Sequence, residues 1–240
     1  MKLGVLILAH GQKEMTVACL ESIYGIEQRG GRGPDVVLLV DNGSFTFESD
    51  ADRPYIMILP WNLPFALATS IGIESMFSQF PDIDAVIVMN NDTKVITEDW
   101  LANFERHLNT FDIVGLGHTH ADFAEDAVTL SILRVEERYR RTPLEKYSYV
   151  GFWCVAICRD AWVGVGPLDH KTFDRIYFED RDWCYRAQDA HFKIAQAHDI
   201  MVEHKNNATM KALGEDTSAI GQVYHDRFVE KWGFLENKAE

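Results

Sequence analysis

Short apolar runs separated by longer segments of helical period dominate the first half of the chain. Leu3–Ala9, Val36–Val40, Tyr55–Leu59 and Ala85–Met89 are apolar stretches bounded by polar or turn-forming residues. That pattern predicts strands buried on both faces. Between them, Glu14–Tyr24 and Pro64–Phe80 repeat apolar residues at helical spacing, and Gly25 stands where the first helix would end. Thr97 reads as the N-cap of another helix, with Glu98 and Asp99 complementing its dipole. Strand–helix alternation of this kind predicts an α/β fold with a mostly parallel sheet and right-handed crossovers.

The second half is less regular. Phe111–Gly117 and Val150–Cys158 have strand character, Asp180–Ala190 reads as a helix, Lys193–Val202 holds a strand, and the tail to Trp232 is helical. Residues 118–148 are polar and charged without a clear period, which predicts a loop or hairpin. With no repeat or linker, residues 1–240 read as one domain, a nucleotide-binding half over 1–117 and an acceptor and catalytic half over 118–240.

Charge narrows the partners. The chain carries 37 acids against 23 Lys and Arg, a formal net charge of −14. Such a surface does not suit nucleic-acid phosphates or an anionic membrane. No apolar segment approaches the ~20 residues that span a bilayer, so no stable membrane insertion is expected. The first apolar run passes directly into His10-Gly11-Gln12-Lys13, which reads as a strand rather than a signal peptide. Cys19, Cys154, Cys158 and Cys184 form no C-x-x-C pair and read as buried free thiols of a cytoplasmic protein.

Candidate chemistry lies at the strand ends. Asn90-Asn91-Asp92-Thr93 follows the Ala85–Met89 run, and ligands of open α/β sheets bind at such carboxyl ends. Asp92 is a hard oxygen ligand suited to Mg2+ or Mn2+ bound to a diphosphate, while Asn90 offers only a neutral oxygen. Asp41, before Asn42-Gly43-Ser44, either accepts hydrogen bonds from a nucleobase or caps a turn. Asn62 either orients a nucleotide or caps the helix after it. Glu179 and Asp180 fall at a helix start, where Asp180 is either an N-cap or a carboxylate held ionised to act as general base. Asp182 and Arg186, four apart, predict a salt bridge. His204, after Ile200-Met201-Val202-Glu203, is either structural or a metal ligand.

Taken in order, these segments resemble the family-2 inverting glycosyltransferases with the GT-A fold, especially rhamnosyltransferase-like members. The match is carried by Val40-Asp41-Asn42-Gly43-Ser44, the Asn62 segment, Met89-Asn90-Asn91-Asp92-Thr93, Gly151–Arg159, Val165–Asp169, Phe178–Arg186, Val202-Glu203-His204 and Phe228–Gly233. The resemblance implies a hexosyl- or deoxyhexosyltransferase using a UDP-, dTDP- or GDP-sugar with Mn2+ or Mg2+, and a saccharide or protein acceptor. It implies that Asp41, Asn62, Asn90 and Asn91 serve the donor, Asp92 and His204 the metal, and Asp180, beside Glu179, the catalytic base. Asn90 replaces an aspartate of that pattern, Pro64 a common glycine and Ser70 a common asparagine. Two other readings are a non-catalytic nucleotide-sugar binding protein and a sugar-nucleotidyltransferase, the second disfavoured by the lack of a glycine-rich basic loop near the N-terminus.

Overall fold

The computed structural model describes residues 1–47, 54–116, 147, 149–205 and 217–233. Its centre is a seven-stranded mixed sheet. Strands β1 (Leu3–Ala9), β2 (Val36–Asp41), β3 (Tyr55–Ile58) and β4 (Ala85–Asn90) run parallel in the order β3-β2-β1-β4. Strand β7 (Cys154–Cys158) enters antiparallel between β4 and β6 (Ile113–Leu116), and β8 (Ile194–Ala197) closes that side parallel to β6. A separate antiparallel ladder joins β5 (Thr93–Val95) to β9 (Val202–His204). The predicted α/β class and mostly parallel arrangement hold, with the reversal confined to β7.

Helices α1 (Lys13–Gln28), α2 (Phe65–Gln79), α3 (Trp100–Leu108), α4 (Arg159–Val165), α5 (Glu179–Asp189) and α6 (Thr217–Trp232) flank the sheet or follow it. Each sheet face carries its own apolar layer: Ile7, Ile23, Ile87, Trp100 and Phe104 meet on one, Leu6, Ile73, Val88, Val155 and Trp183 on the other. Burying one large apolar side chain of this kind contributes about 1.5–3 kcal/mol. A third, aromatic cluster of Phe173, Tyr185, Tyr224 and Phe228 holds α6. Asp182, fully buried, accepts from Arg186 Nε at 3.0 Å, Trp232 Nε1 at 3.1 Å and Lys231 Nζ at 2.7 Å, so the predicted i,i+4 bridge also fastens α6.

Several local expectations change. Helix α1 passes Gly25 because Ile26 is needed in the core, and it ends where the amides of Gly30 and Gly31 meet the Glu27 and Ile26 carbonyls. Thr97 does not cap α3: its hydroxyl accepts from the Met201 amide at 2.8 Å, and Asp99 holds the cap position. The strand expected over Lys193–Val202 divides into β8 and β9, and β7 begins four residues later than the run from Val150 suggests. Gly117 and the predicted loop or hairpin over 118–148, Tyr147 apart, lie outside the described residues. No helix among the described residues is long and apolar enough to cross a membrane.

Candidate active site

The chain order reverses direction across the sheet between β1 and β4, and the register sets Ala9 beside Asp41 and Leu8 beside Asn90. In open α/β sheets that switch point is where a crevice opens at the carboxyl ends of the strands.

On the β2 side the Asp41 carboxylate is turned into its own loop. Oδ1 accepts from the Ser44 amide at 2.8 Å and the Ser44 hydroxyl at 2.5 Å, and Oδ2 accepts from the Thr46 amide at 2.7 Å. Burial opposes its charge, but these donors outweigh burial and hold the carboxyl below its ordinary value. Of the two readings of Asp41, the turn cap is the arrangement present. Asn42 then stitches the loop to the 61–63 segment. Its Nδ2 donates to Asn62 Oδ1 at 3.0 Å and to the Leu63 carbonyl at 2.9 Å, while its Oδ1 accepts from the Leu63 amide at 2.9 Å. Asn62 therefore does not cap α2, whose cap position is Pro64. Gly43 makes this closeness possible: a Cβ there would lie 2.1 Å from the Trp61 carbonyl carbon, and its φ is +74°.

Beyond β4, Asp92 and His204 meet across the β5–β9 ladder. His204 Nε2 lies 3.1 Å from Asp92 Oδ1, a buried oxygen that meets no hydrogen-bond donor in good geometry among the described residues. Two such atoms side by side are also placed to face one cation together. Adjacent ligands of an octahedral ion with bonds of about 2.1 Å sit about 3.0 Å apart. Asn90 Nδ2 is 3.5 Å from the same imidazole nitrogen, so an amide turned over would offer its oxygen there. The Trp153 indole stacks on His204 with centroids 4.8 Å apart and planes 5° from parallel, which fixes the ring. These residues fit a divalent ion that takes most of its ligands from water and a diphosphate. Among the described residues no group of three or more His, Cys, Asp or Glu side chains forms a metal cage. Asn91 points elsewhere: its Nδ2 donates to Thr16 Oγ1 at 3.0 Å, tying the turn after β4 to α1.

The acidic pair lies at the start of α5. Tyr177 and Phe178 take positive φ values of 74° and 70°, uncommon for non-glycine residues and costing about 1–3 kcal/mol each. That double turn sets Glu179 as the first residue of the helix and Asp180 as the second, so Phe178 and not Asp180 occupies the cap position. Asp180 Oδ1 accepts from the Arg181 amide at 2.7 Å. Its Oδ2 faces Gly151, 3.8 Å from where a Cβ would stand. The same Cβ would come 2.9 Å from the Trp153 ring. Gly151 thus lets the indole that supports His204 pack closely against the backbone that Asp180 faces.

Glu179 is buried, and its Oε2 has no hydrogen-bond partner among the described residues. Burial first, and the neighbouring Asp180 charge second, push its carboxyl well above the ordinary value. The folded state therefore holds this proton more tightly than the unfolded chain. The proton linkage leaves stability intact below pH 4.5 and lowers it as pH rises through the folded-state pKa. Glu179→Gln mimics the neutral form. Its thermal midpoint should match wild type below pH 4.5 and exceed it progressively at higher pH; a constant offset across pH would refute the assignment.

Tyr149, Gly151 and Trp153 were not singled out from sequence as site residues, because the stretch reads as the start of an apolar strand. The available signal was a glycine set between aromatic residues just ahead of β7.

No protein-family model and no curated protein sequence matches this chain. Solved structures do. GalNAc-T7 with UDP, GalNAc and Mn2+ superposes at a TM-score of 0.61 and 15% identity, over 96% of this chain and 48% of that one. A mycobacterial protein superposes at 0.59 and 15% identity, over 97% and 75%. The Pyrobaculum calidifontis mannosyltransferase PcManGT with GDP-Man and Mn2+ superposes at 0.55 and 13% identity, over 95% and 69%. The chain spans about half the length of GalNAc-T7. At these identities the likeness establishes the fold, which is that of the GT-A glycosyltransferases.

Proposed function

We propose that the protein is an inverting glycosyltransferase of the family-2, rhamnosyltransferase-like type, moving a hexose or deoxyhexose from a nucleoside-diphosphate donor to an acceptor hydroxyl. One observation carries the reading: the Trp153 indole stacks on His204, the partner of Asp92, and also packs against the backbone at Gly151, the position that the Asp180 carboxylate faces from another element. A diphosphate leaving group and a base must flank one anomeric carbon, and this arrangement supplies both. That neighbours of the same fold were solved with UDP or GDP-Man and Mn2+ supports a nucleotide-sugar donor.

Residues 1–117 hold the donor in this scheme and 118–240 the acceptor and base. Asp41 and Asn42 fix the 43–47 loop and the Asn62 segment against which the nucleoside lies. Asp92 and His204, with Asn90 beside them, hold Mn2+ or Mg2+, whose chemistry is to neutralise the charge that develops on the departing diphosphate. Asn91 contributes by keeping the turn after β4 closed on α1. Asp180 accepts the acceptor proton as the acceptor oxygen bonds to the anomeric carbon and the bond to the diphosphate oxygen breaks on the opposite face. Burial of Glu179 favours its protonated form, which limits the negative charge beside Asp180.

A UDP-, dTDP- and GDP-sugar panel, with and without manganese or magnesium, tests the donor class through thermal stabilisation. One nucleotide class is expected to raise the midpoint, and only with metal. No response to any member would overturn the reading. Having two strong metal ligands instead of three favours one alternative, a nucleotide-sugar binding protein without turnover, identified by metal-dependent binding with neither donor hydrolysis nor transfer.

A further inference from the structure

Next to Asp180 stands an arginine whose surroundings differ from those of its counterparts. Arg29, Arg32, Arg106, Arg186 and Arg227 each meet a carboxylate, and Arg159 meets backbone carbonyls. Arg181 meets ring faces. Its guanidinium carbon lies 4.1 Å from the centroid of Tyr149, 4.9 Å from Phe178 and 5.7 Å from Phe228. Among the described residues no oxygen accepts a hydrogen bond from this guanidinium. Stacking of this kind fixes the plane of an arginine and leaves its in-plane N–H donors directed outward. Its five donors meet no carboxylate among the described residues of a chain of net charge −14, so they are available to an anionic ligand.

The position along the site matters as much as the chemistry. Trp153 supports His204, Gly151 faces Asp180, and Tyr149 backs Arg181. Alternate residues of one short segment therefore mark the leaving-group end, the base and the arginine in sequence. Tyr149 and Gly151 are at most about 7 Å apart along the backbone, roughly the length of one sugar ring. Arg181, adjacent in sequence to Asp180 and stacked on Tyr149, thus lies within about one sugar ring of the base. Tyr149 is 36% exposed, so the stacked pair is open to a ligand.

From this placement we infer that Arg181, held over the Tyr149 ring, reads an anionic group on the acceptor within about one sugar residue of the hydroxyl that Asp180 activates. The inference rests on the glycosyl-transfer reading and names its acceptor class: a saccharide bearing a carboxylate or a phosphate. The guanidinium fork suits either anion, and it offsets the repulsion that the anion would feel from Asp180.

Calorimetric titration of the full chain, loaded with manganese and its best nucleoside diphosphate, tests this with two matched pairs. One pair is tetragalacturonate and its methyl ester, the other 6-phosphomaltotetraose and maltotetraose. In wild type at least one charged member should bind about tenfold more tightly than its neutral twin, because a charge-assisted contact is gained. A response in the first pair assigns a uronate, and in the second a phosphate. Arg181→Met should erase the preference, and Arg181→Lys should keep only part of it. Should Arg181→Met melt early, Tyr149→Leu, which removes the plate and keeps the charge, should weaken the preference instead. Equal binding by both members of both pairs, absence of binding by all four, or a preference that survives Arg181→Met overturns the inference. Donor stabilisation measured on the same samples separates the two ideas: donor binding without charge preference refutes the acceptor class alone, whereas no donor response refutes glycosyl transfer.

Discussion

Replacing Asp180 with asparagine should reduce turnover about 10²–10⁴-fold while leaving metal-dependent donor binding near wild type. Asparagine keeps the size of the side chain and an oxygen able to accept from the Arg181 amide, so the double left-handed turn at Tyr177 and Phe178 has no new reason to move. What it loses is the capacity to take a proton. The expected signature is a fall in kcat with little change in the donor KM. Normal turnover by Asp180→Asn would remove this residue from the base role, and equal losses in donor binding and rate would assign it to positioning.

Asp92→Asn should produce the second large effect, the loss of metal-dependent donor stabilisation. Asp92 is the only carboxylate in the Asn90-Asn91-Asp92-Thr93 segment at the end of β4. His204 alone would then face the ion, and a neutral imidazole does not cancel the charge of a diphosphate-bound divalent cation. Titrating manganese against the donor-induced thermal shift should show at least a hundredfold rise in the metal needed, about 2.7 kcal/mol by affinity arithmetic. A wild-type metal response in Asp92→Asn would place the cation elsewhere. His204→Gln should be milder, since it keeps a neutral donor but loses the stack on Trp153.

The sheet was legible because its strands bury both faces: β1, β2 and β4 are apolar nearly throughout, and no other element accommodates such runs. The i,i+4 pair of Asp182 and Arg186 was legible for the same local reason. What sequence did not disclose depends on contacts between distant segments. The β5–β9 ladder is three residues long on each side, too short for a period, so the meeting of His204 with Asp92 that it produces followed only from the family resemblance and not from local pattern. Thr97 has the chemistry of an N-cap, but a passing amide from Met201 claims its hydroxyl first. Asp41 left two readings open, and its own loop supplies enough donors to occupy both oxygens. Trp153 was hidden by company, since an aromatic residue beside an apolar strand looks like core until the imidazole beneath it is known.

The antiparallel entry of β7 also has a consequence for how the protein is made. Strands β3, β2, β1 and β4 can assemble as soon as the first ninety residues exist, but the outer edge of β4, apolar from Ala85 to Met89, has no partner until Cys154–Cys158 arrives. During synthesis, which proceeds at about 5–20 residues per second, that edge stays open for several seconds. A truncated chain ending before Cys154 would keep it open permanently and would be prone to associate with copies of itself.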